Sequence, residues 1–302
     1  MTWPAYLALA RSGHLRSRAE AARELLQPCR LCPRECGSRR LGGEAGTCGV
    51  FDEAVVSSAG PHFGEERPLV GRGGSGTIFL TGCNLGCVFC QNADISQGRA
   101  GSPMTGDGLA RTMLRLQDLG CHNINFVSPT HQVPQILQAL DLAVRAGLRL
   151  PLVYNSGGYE SLEALRLLDG VIDIYMPDLK YADAAVAQRY SLVSDYPAVS
   201  QAAIREMHRQ VGDLTVDVSG VARRGLLVRH LVLPNGLAGT RGAMEFLAGL
   251  SPNTYVNVMD QYRPCHLACQ HPPLDRRVTR QEFDSALVIA SAAGLSRLDG
   301  YC

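Results

Sequence analysis

From Gly76 onward, short apolar runs alternate with helical patterns, and this alternation limits the fold more than any other feature of the 302-residue chain. The runs are Ile78-Phe79-Leu80, HNINFVSPT (122–130), LPLVYNSGG (150–158), VIDIYMPDLK (171–180), GLLVRHLVLP (225–234) and TYVNVMDQYRP (254–264). Helical patterns stand between them at 109–120, 132–147, 160–170, between Tyr181 and Val211, and near Thr240 to Leu250. A last helix begins at the capping box Thr279-Arg-Gln-Glu282, in which hydroxyl and carboxylate satisfy orphan N–H groups reciprocally, and ends near Gly294. A short strand follows around Leu295 to Leu298. Six strand-helix units with strands apolar almost throughout predict an α/β fold, a parallel sheet covered by helices on its faces. Periodicity alone leaves a barrel and a doubly wound open sheet both possible.

The first of these strands runs into GTIFLTGCNLGCVFCQN, Gly76 to Asn92. Cys83, Cys87 and Cys90 have gaps of three and two residues and sit in the loop leaving the strand, at the C-terminal edge of the sheet, where barrels carry their active sites. Three thiolates on one tight loop can hold three corners of a [4Fe-4S] cluster, and with no fourth cysteine close by one iron stays open to a substrate or cofactor. The competing assignment is a zinc loop, because Cys-x-x-Cys recurs in structural zinc sites; those sites, however, place their cysteines as two separated pairs.

A second group precedes it. In CRLCPRECGSRRLGGEAGTCGV, Cys29, Cys32, Cys36 and Cys48 are separated by two, three and eleven residues, with Gly37, Gly42, Gly43 and Gly46 permitting the tight turns that ligation demands. Four sulfurs so spaced suit an auxiliary iron-sulfur cluster or a zinc knuckle equally well. Seven of the eleven cysteines thus fall in two groups; Cys121 reads as a small buried hydrophobe, Cys265 as a radical or proton donor or, with His266, Cys269 and His271, part of a third metal site, Cys269 otherwise as incidental, and Cys302 is unassigned. This odd, clustered usage is unlike a secreted disulfide framework. With Met1 to Ala10 lacking a signal-peptide pattern and no apolar run of spanning length, it predicts a cytoplasmic protein. The formal net charge of +1 argues against a nucleic-acid or membrane partner held by charge.

Ahead of the cysteine loop, residues 4–26 read as one or two helices interrupted at Gly13, and 50–75 as a connection containing a strand from Ala54 to Ala59. The glycines at 71, 73, 74 and 76 are not a phosphate loop, since no Gly-Lys-Ser/Thr follows. His62, Glu65 and Glu66 are charged or titratable groups that could face the site. If the strands are as assigned, the polar residues just past them line one cavity: Ser128, Pro129, Thr130 and His131; Tyr154, Asn155, Ser156, Gly157 and Gly158; Met176, Asp178 and Lys180; Arg229 and His230; and Asp260, Gln261, Tyr262, Arg263, Cys265 and His266.

The triple-cysteine spacing, with the aromatic Phe89 just before the last cysteine, resembles the signature of the radical S-adenosylmethionine superfamily. The segments VIDIYMPDLKY and LLVRHLVLPN are similar to parts of pyruvate formate-lyase-activating enzymes. Over almost the whole length, the CRLCPRxC, NINxVxPTH, YNxxGY and YVNxMDQYRPCH patterns resemble the uncharacterised iron-sulfur branch related to them. The resemblance implies a partial (βα)6 TIM-like barrel at 76–302 with a helical, Cys-rich metal-binding extension at 1–75. It implies a [4Fe-4S] cluster on Cys83, Cys87 and Cys90 that binds S-adenosylmethionine and cleaves it reductively to a 5'-deoxyadenosyl radical, which takes hydrogen from a substrate. Phe89, Ser128, Asn155, Ser156, Asp178, Lys180 and Arg229 are the expected contacts to that cofactor, and flavodoxin or ferredoxin the expected class of electron donor. As an activase the protein would act on a glycine of a partner protein, although activases usually carry extra clusters after the triple-cysteine loop, and here the extra cysteines precede it. A non-catalytic metal or electron-transfer module is the alternative from another class.

Overall fold

In a computed structural model, which describes residues 3–299, the alternation becomes one ten-stranded sheet; Cys302 lies outside the described residues. The strands are β1 (Ala54–His62), β2 (Ser75–Leu80), β3 (Ser102–Met104), β4 (Ile124–Val127), β5 (Leu152–Ser156), β6 (Ile174–Pro177), β7 (Thr215–Val216), β8 (Ala222–Leu231), β9 (Tyr255–Met259) and β10 (Arg297–Asp299). Their hydrogen-bonded order is β10-β9-β8-β6-β5-β4-β2-β1-β3, with β7 folded back antiparallel on β8. Every pairing from β2 through to β10 is parallel. Parallel neighbours need long crossovers, and the helices 106–118, 133–145, 162–167, 184–191, 196–211 and 240–250 supply them. The segment expected to be mainly a connection does more: β1 pairs antiparallel with β2, and β3 antiparallel with β1, extending the sheet at one edge.

The near-continuous apolar strands have a simple origin, since successive side chains leave a strand on opposite faces and here both faces are covered. Outward residues such as Phe126, Leu152, Tyr175 and Val228 join the helices in the main core, while Val153, Ile174, Met176 and Leu227 meet Leu69 and Leu214 on the inner side. The inner face curls on itself: Asn257 of β9 donates to Glu66, just ahead of β2, at 3.2 Å. In hydrogen bonding the sheet stays open, with β10 and β3 at its ends.

The N-terminal helices, Tyr6–Arg11 and His14–Glu24, break at Gly13 as its left-handed φ of 77° requires. They add Tyr6, Leu15, Leu25 and Leu26 to the main core, and the Tyr6 hydroxyl donates to the Leu150 carbonyl at 2.8 Å. The capping box of the last helix is formed as read, with Thr279 and Glu282 reciprocating. Among the described residues no helix is long and apolar enough to cross a membrane.

Candidate active site

β2 ends at Leu80, and the chain turns at Gly82, whose φ is +87°. A Cβ there would stand 2.5 Å from the Cys48 carbonyl oxygen and 3.0 Å from His131 Nε2, so only glycine lets the loop leave the sheet in contact with the N-terminal cysteine segment. Cys87 is buried and Cys83 and Cys90 are half-buried. Each sulfur has a polar neighbour: the Leu85 N–H donates to Cys83 Sγ at 3.4 Å, Ser191 Oγ lies 2.9 Å from Cys87 Sγ, and Ser96 Oγ 3.2 Å from Cys90 Sγ. Burial, and then the neighbouring Cys87 sulfur, push the Cys83 thiol up to about 12, and burial likewise raises Cys87. Such thiols stay protonated near neutrality unless a cationic centre takes the proton's place.

The three cysteines line one cavity of about 250 Å³ together with Phe89, Ser128, Asn155, Ser156, Asp178, Lys180 and Arg229. At its centre is a tight charge network. Lys180 Nζ donates to Asp178 Oδ2 at 2.5 Å, Arg229 Nε to Asp178 Oδ1 at 2.8 Å, and Arg229 Nη2 to Asn155 Oδ1 at 2.7 Å. Burial opposes the charge on Asp178, but Arg229 and then Lys180 outweigh it and hold the carboxyl below its usual range.

Only part of the polar set past the strands reaches this cavity. His131 and His230 turn the other way, to the Thr81 carbonyl at 2.7 Å and the Leu179 carbonyl at 2.8 Å, and burial lowers both imidazoles to about 4, leaving them neutral. Tyr154 points outward to Glu160 and Tyr262 to the Leu274 carbonyl. Each of Tyr154 and His230 adjoins a cavity residue in sequence and so faces away from it. Cys265 and His266 do not line the cavity, although their loop is tied to the cysteine loop by Leu267 N–H to the Val88 carbonyl at 2.8 Å. Cys121 is buried in the main core. Sequence reasoning passed over Gln91, Asn92, Ser96 and Met259, which line the cavity, and Ser191. The hydroxyl of Ser96, six positions after Cys90, was open to notice; nothing local could have pointed from Cys87 to Ser191, 104 residues away.

The second cysteine group packs directly on the first. Arg34, between Cys32 and Cys36, donates to the Asn84 carbonyl at 2.8 Å and the Leu192 carbonyl at 2.9 Å. Cys29, Cys32 and Cys48 are buried and Cys36 is exposed. Burial drives Cys32 up to about 12, with Cys48 and Cys29 near enough to add to the shift. At Cys36 a smaller burial effect is outweighed by hydrogen bonds from Ser38 and Thr47, bringing the thiol to about 7. Among the described residues no three His, Cys, Asp or Glu side chains are gathered as a single bound metal ion would need.

Within electrostatic reach of Cys32 lies Glu160, 2 % exposed, accepting from Thr130 Oγ1 at 2.7 Å and Tyr154 Oη at 2.9 Å. Burial raises its carboxyl from 4.5 to about 7 despite those bonds. Between these two values the unfolded chain has released a proton that the folded chain keeps, so this group makes stability fall as pH rises, by about 3 kcal/mol across the window. Glu160→Gln is expected to remove that part of the slope. Denaturant unfolding at pH 5 and pH 8 checks it, and a variant as pH-sensitive as the parent would count against the buried acid.

Comparison with known proteins agrees with this geometry. The model of the Radical SAM superfamily matches residues 77–221, a span reaching from β2 almost to β8. The chain is also similar to the uncharacterized protein MJ0674 of Methanocaldococcus jannaschii, 34% identical over 288 residues, which covers 92% of this chain and 78% of the other.

Proposed function

Because the chain belongs to the radical SAM superfamily, we propose that it cleaves S-adenosylmethionine reductively at a [4Fe-4S] cluster and abstracts hydrogen from a substrate. The observation that carries this reading is that three thiols and the charged strand-end network face one cavity. In a four-iron cube each cysteine binds a different iron, so a set spread around a wall fits it better than it fits a single ion. No other cysteine and no histidine lines the cavity among the described residues, which would leave the fourth iron free for a non-protein ligand.

When bound, the cluster supplies the electron that splits the sulfonium bond, yielding methionine and a 5'-deoxyadenosyl radical. The chain's own groups hold and orient. Cys83, Cys87 and Cys90 ligate the cluster, and Ser191 and Ser96 donate to two of their sulfurs, which tunes the potential of the centre. Lys180 and Arg229 offer donors for a carboxylate, while Asp178, Asn155, Ser128 and Ser156 offer acceptors for ammonium or hydroxyl groups. Phe89, Val127, Leu231 and Leu233 form apolar wall against which a planar base can lie. We assign this chemistry to a partial (βα)6 barrel at 76–302. A second centre is assigned to Cys29, Cys32, Cys36 and Cys48 within an extension at 1–75, an auxiliary iron-sulfur cluster or zinc, the latter requiring the sulfurs to gather more closely than they stand here.

The test is anaerobic purification, metal and sulfide analysis, and measurement of 5'-deoxyadenosine after reduction with dithionite in the presence of S-adenosylmethionine. Colourless protein holding only zinc would end the proposal. Lys180→Ala is expected to weaken S-adenosylmethionine binding about tenfold or more, the scale of one lost charge-assisted hydrogen bond, by equilibrium dialysis. An unchanged Kd would remove Lys180 from the site. For the second centre, Cys32→Ala should lower bound metal to that of the first centre alone.

A further inference from the structure

Just ahead of β2, adjacent carboxylates at Glu65 and Glu66 enter the inner side of the sheet. Glu66 is 8 % exposed; its Oε1 accepts from Asn257 Nδ2 at 3.2 Å and stands 3.9 Å from Arg229, while Oε2 is shut off from solvent and has no hydrogen-bond partner. On the same inner face Asn125, between Thr77 and Val153 in the strand register, is fully buried; it stands near enough to Glu65 to favour its charged form, but neither its amide nitrogen nor its amide oxygen is in a well-formed hydrogen bond. Interiors rarely leave polar atoms so, and several together point to a missing partner. Burial raises the Glu65 carboxyl to about 7, Arg229 opposing the rise and the adjacent Glu66 adding to it, as expected of two acids set side by side with a single cation nearby.

Arg229 supplies only part of the balancing charge: its Nε and Nη2 are bound to Asp178 and Asn155, and its Nη1 stands 3.9 Å from Glu66 Oε1 without hydrogen-bonding either acid. Glu65 and Glu66 line a separate cavity of about 310 Å³ that Arg67, Arg280, Asp260 and Asp299 also line and whose apolar part includes Met259, Phe283 and Leu287; it meets the cysteine-lined cavity at Met259 and Gln261. A primary ammonium has three N–H donors, and two carboxylates with one amide oxygen offer three acceptors. An apolar wall leading from such a group suits an aliphatic stem.

We propose that the Glu65–Glu66 pair, with Asn125, receives the primary ammonium of an aliphatic amine substrate whose stem lies along Met259, Phe283 and Leu287 toward the cysteine-lined cavity. This deepens the radical-enzyme reading and rests on it for the fate of the substrate, not for the recognition of the cation. The amine could be free or the side chain of a lysyl residue, and the test separates the two.

Full-length, cluster-loaded protein with S-adenosylmethionine is titrated with Nα-acetyl-lysine methylamide, with its norleucine counterpart, which lacks only the amine, and with putrescine. The expected result is at least tenfold tighter binding of an amine-bearing probe than of the norleucine compound, with the preference lost in Glu65→Gln and in Glu66→Gln. Preference for the lysine derivative over putrescine assigns a peptidyl amine, and the reverse a free one. Equal binding of lysine and norleucine compounds together with no putrescine binding, or a preference that survives both substitutions, overturns the proposal. Thermal unfolding checks both variants. Should the buried Glu66→Gln fail to fold, the half-buried Glu65→Gln decides alone. Measuring 5'-deoxyadenosine on the same samples keeps the two ideas apart: cleavage without amine preference overturns this inference only, and amine preference without cleavage overturns only the enzymatic reading.

Discussion

Protein carrying Cys87→Ala is expected to form 5'-deoxyadenosine from S-adenosylmethionine at least about a thousandfold more slowly than the parent under anaerobic dithionite reduction, as when one member of a catalytic unit is removed. Cys87 is the middle and most buried thiol of its loop, and Cys121, Cys265 and Cys269, the described thiols beyond the two groups, do not line the cavity and cannot stand in for it. Cys83→Ala and Cys90→Ala should behave alike, because a cluster short of one ligand is lost or mis-seated whichever corner is opened. Ser191→Ala, which leaves the thiol but removes its 2.9 Å partner, should keep the iron and shift the reduction potential. Chromatographic detection of 5'-deoxyadenosine and iron counts make the comparison. Product formation retained in all three cysteine variants would falsify the role given to the triad.

Arg40→Ala should cost about 3–5 kcal/mol of folding stability, the scale of breaking a buried charged network. Arg40 is 1 % exposed, lies between Cys36 and Cys48, and donates from Nε and Nη2 to the Phe51 carbonyl at 2.9 and 2.7 Å and from Nη1 to the His131 carbonyl at 2.9 Å. Truncation leaves those carbonyls without their donor and opens a hole where the N-terminal cysteine segment meets the end of β4. Burial raises the Cys48 thiol and Arg40 lowers it, so the same change should also weaken any metal held there. Arg40→Lys keeps the charge but not the forked donors, and should fall between. Urea unfolding midpoints test the order; a loss under about 1 kcal/mol for Arg40→Ala would show the bonds to be replaceable by water.

Much of the site was readable because its signals are local. The spacing of Cys83, Cys87 and Cys90 after an apolar strand and the strand-end groups Asn155, Asp178, Lys180 and Arg229 each declare themselves within a few residues. The structure gathers those groups on one cavity wall. Less readable was which neighbour in a pair faces it: Arg229 lines the cavity and His230 does not, because a strand end near the rim can enter the loop one residue earlier or later, and a shift of one exchanges the faces.

By itself the sequence determined an α/β chain of parallel strands and a cysteine loop at the sheet's C-terminal edge, since apolar period and ligand spacing are properties of short windows. Tertiary structure alone decided that β1 and β3 extend the sheet antiparallel, that Arg34 fastens one cysteine group to the other, that Ser191 meets Cys87, and that Glu66 reaches β9. Those contacts join positions tens to nearly two hundred residues apart, and only the curl of the packed sheet brings them within hydrogen-bonding distance.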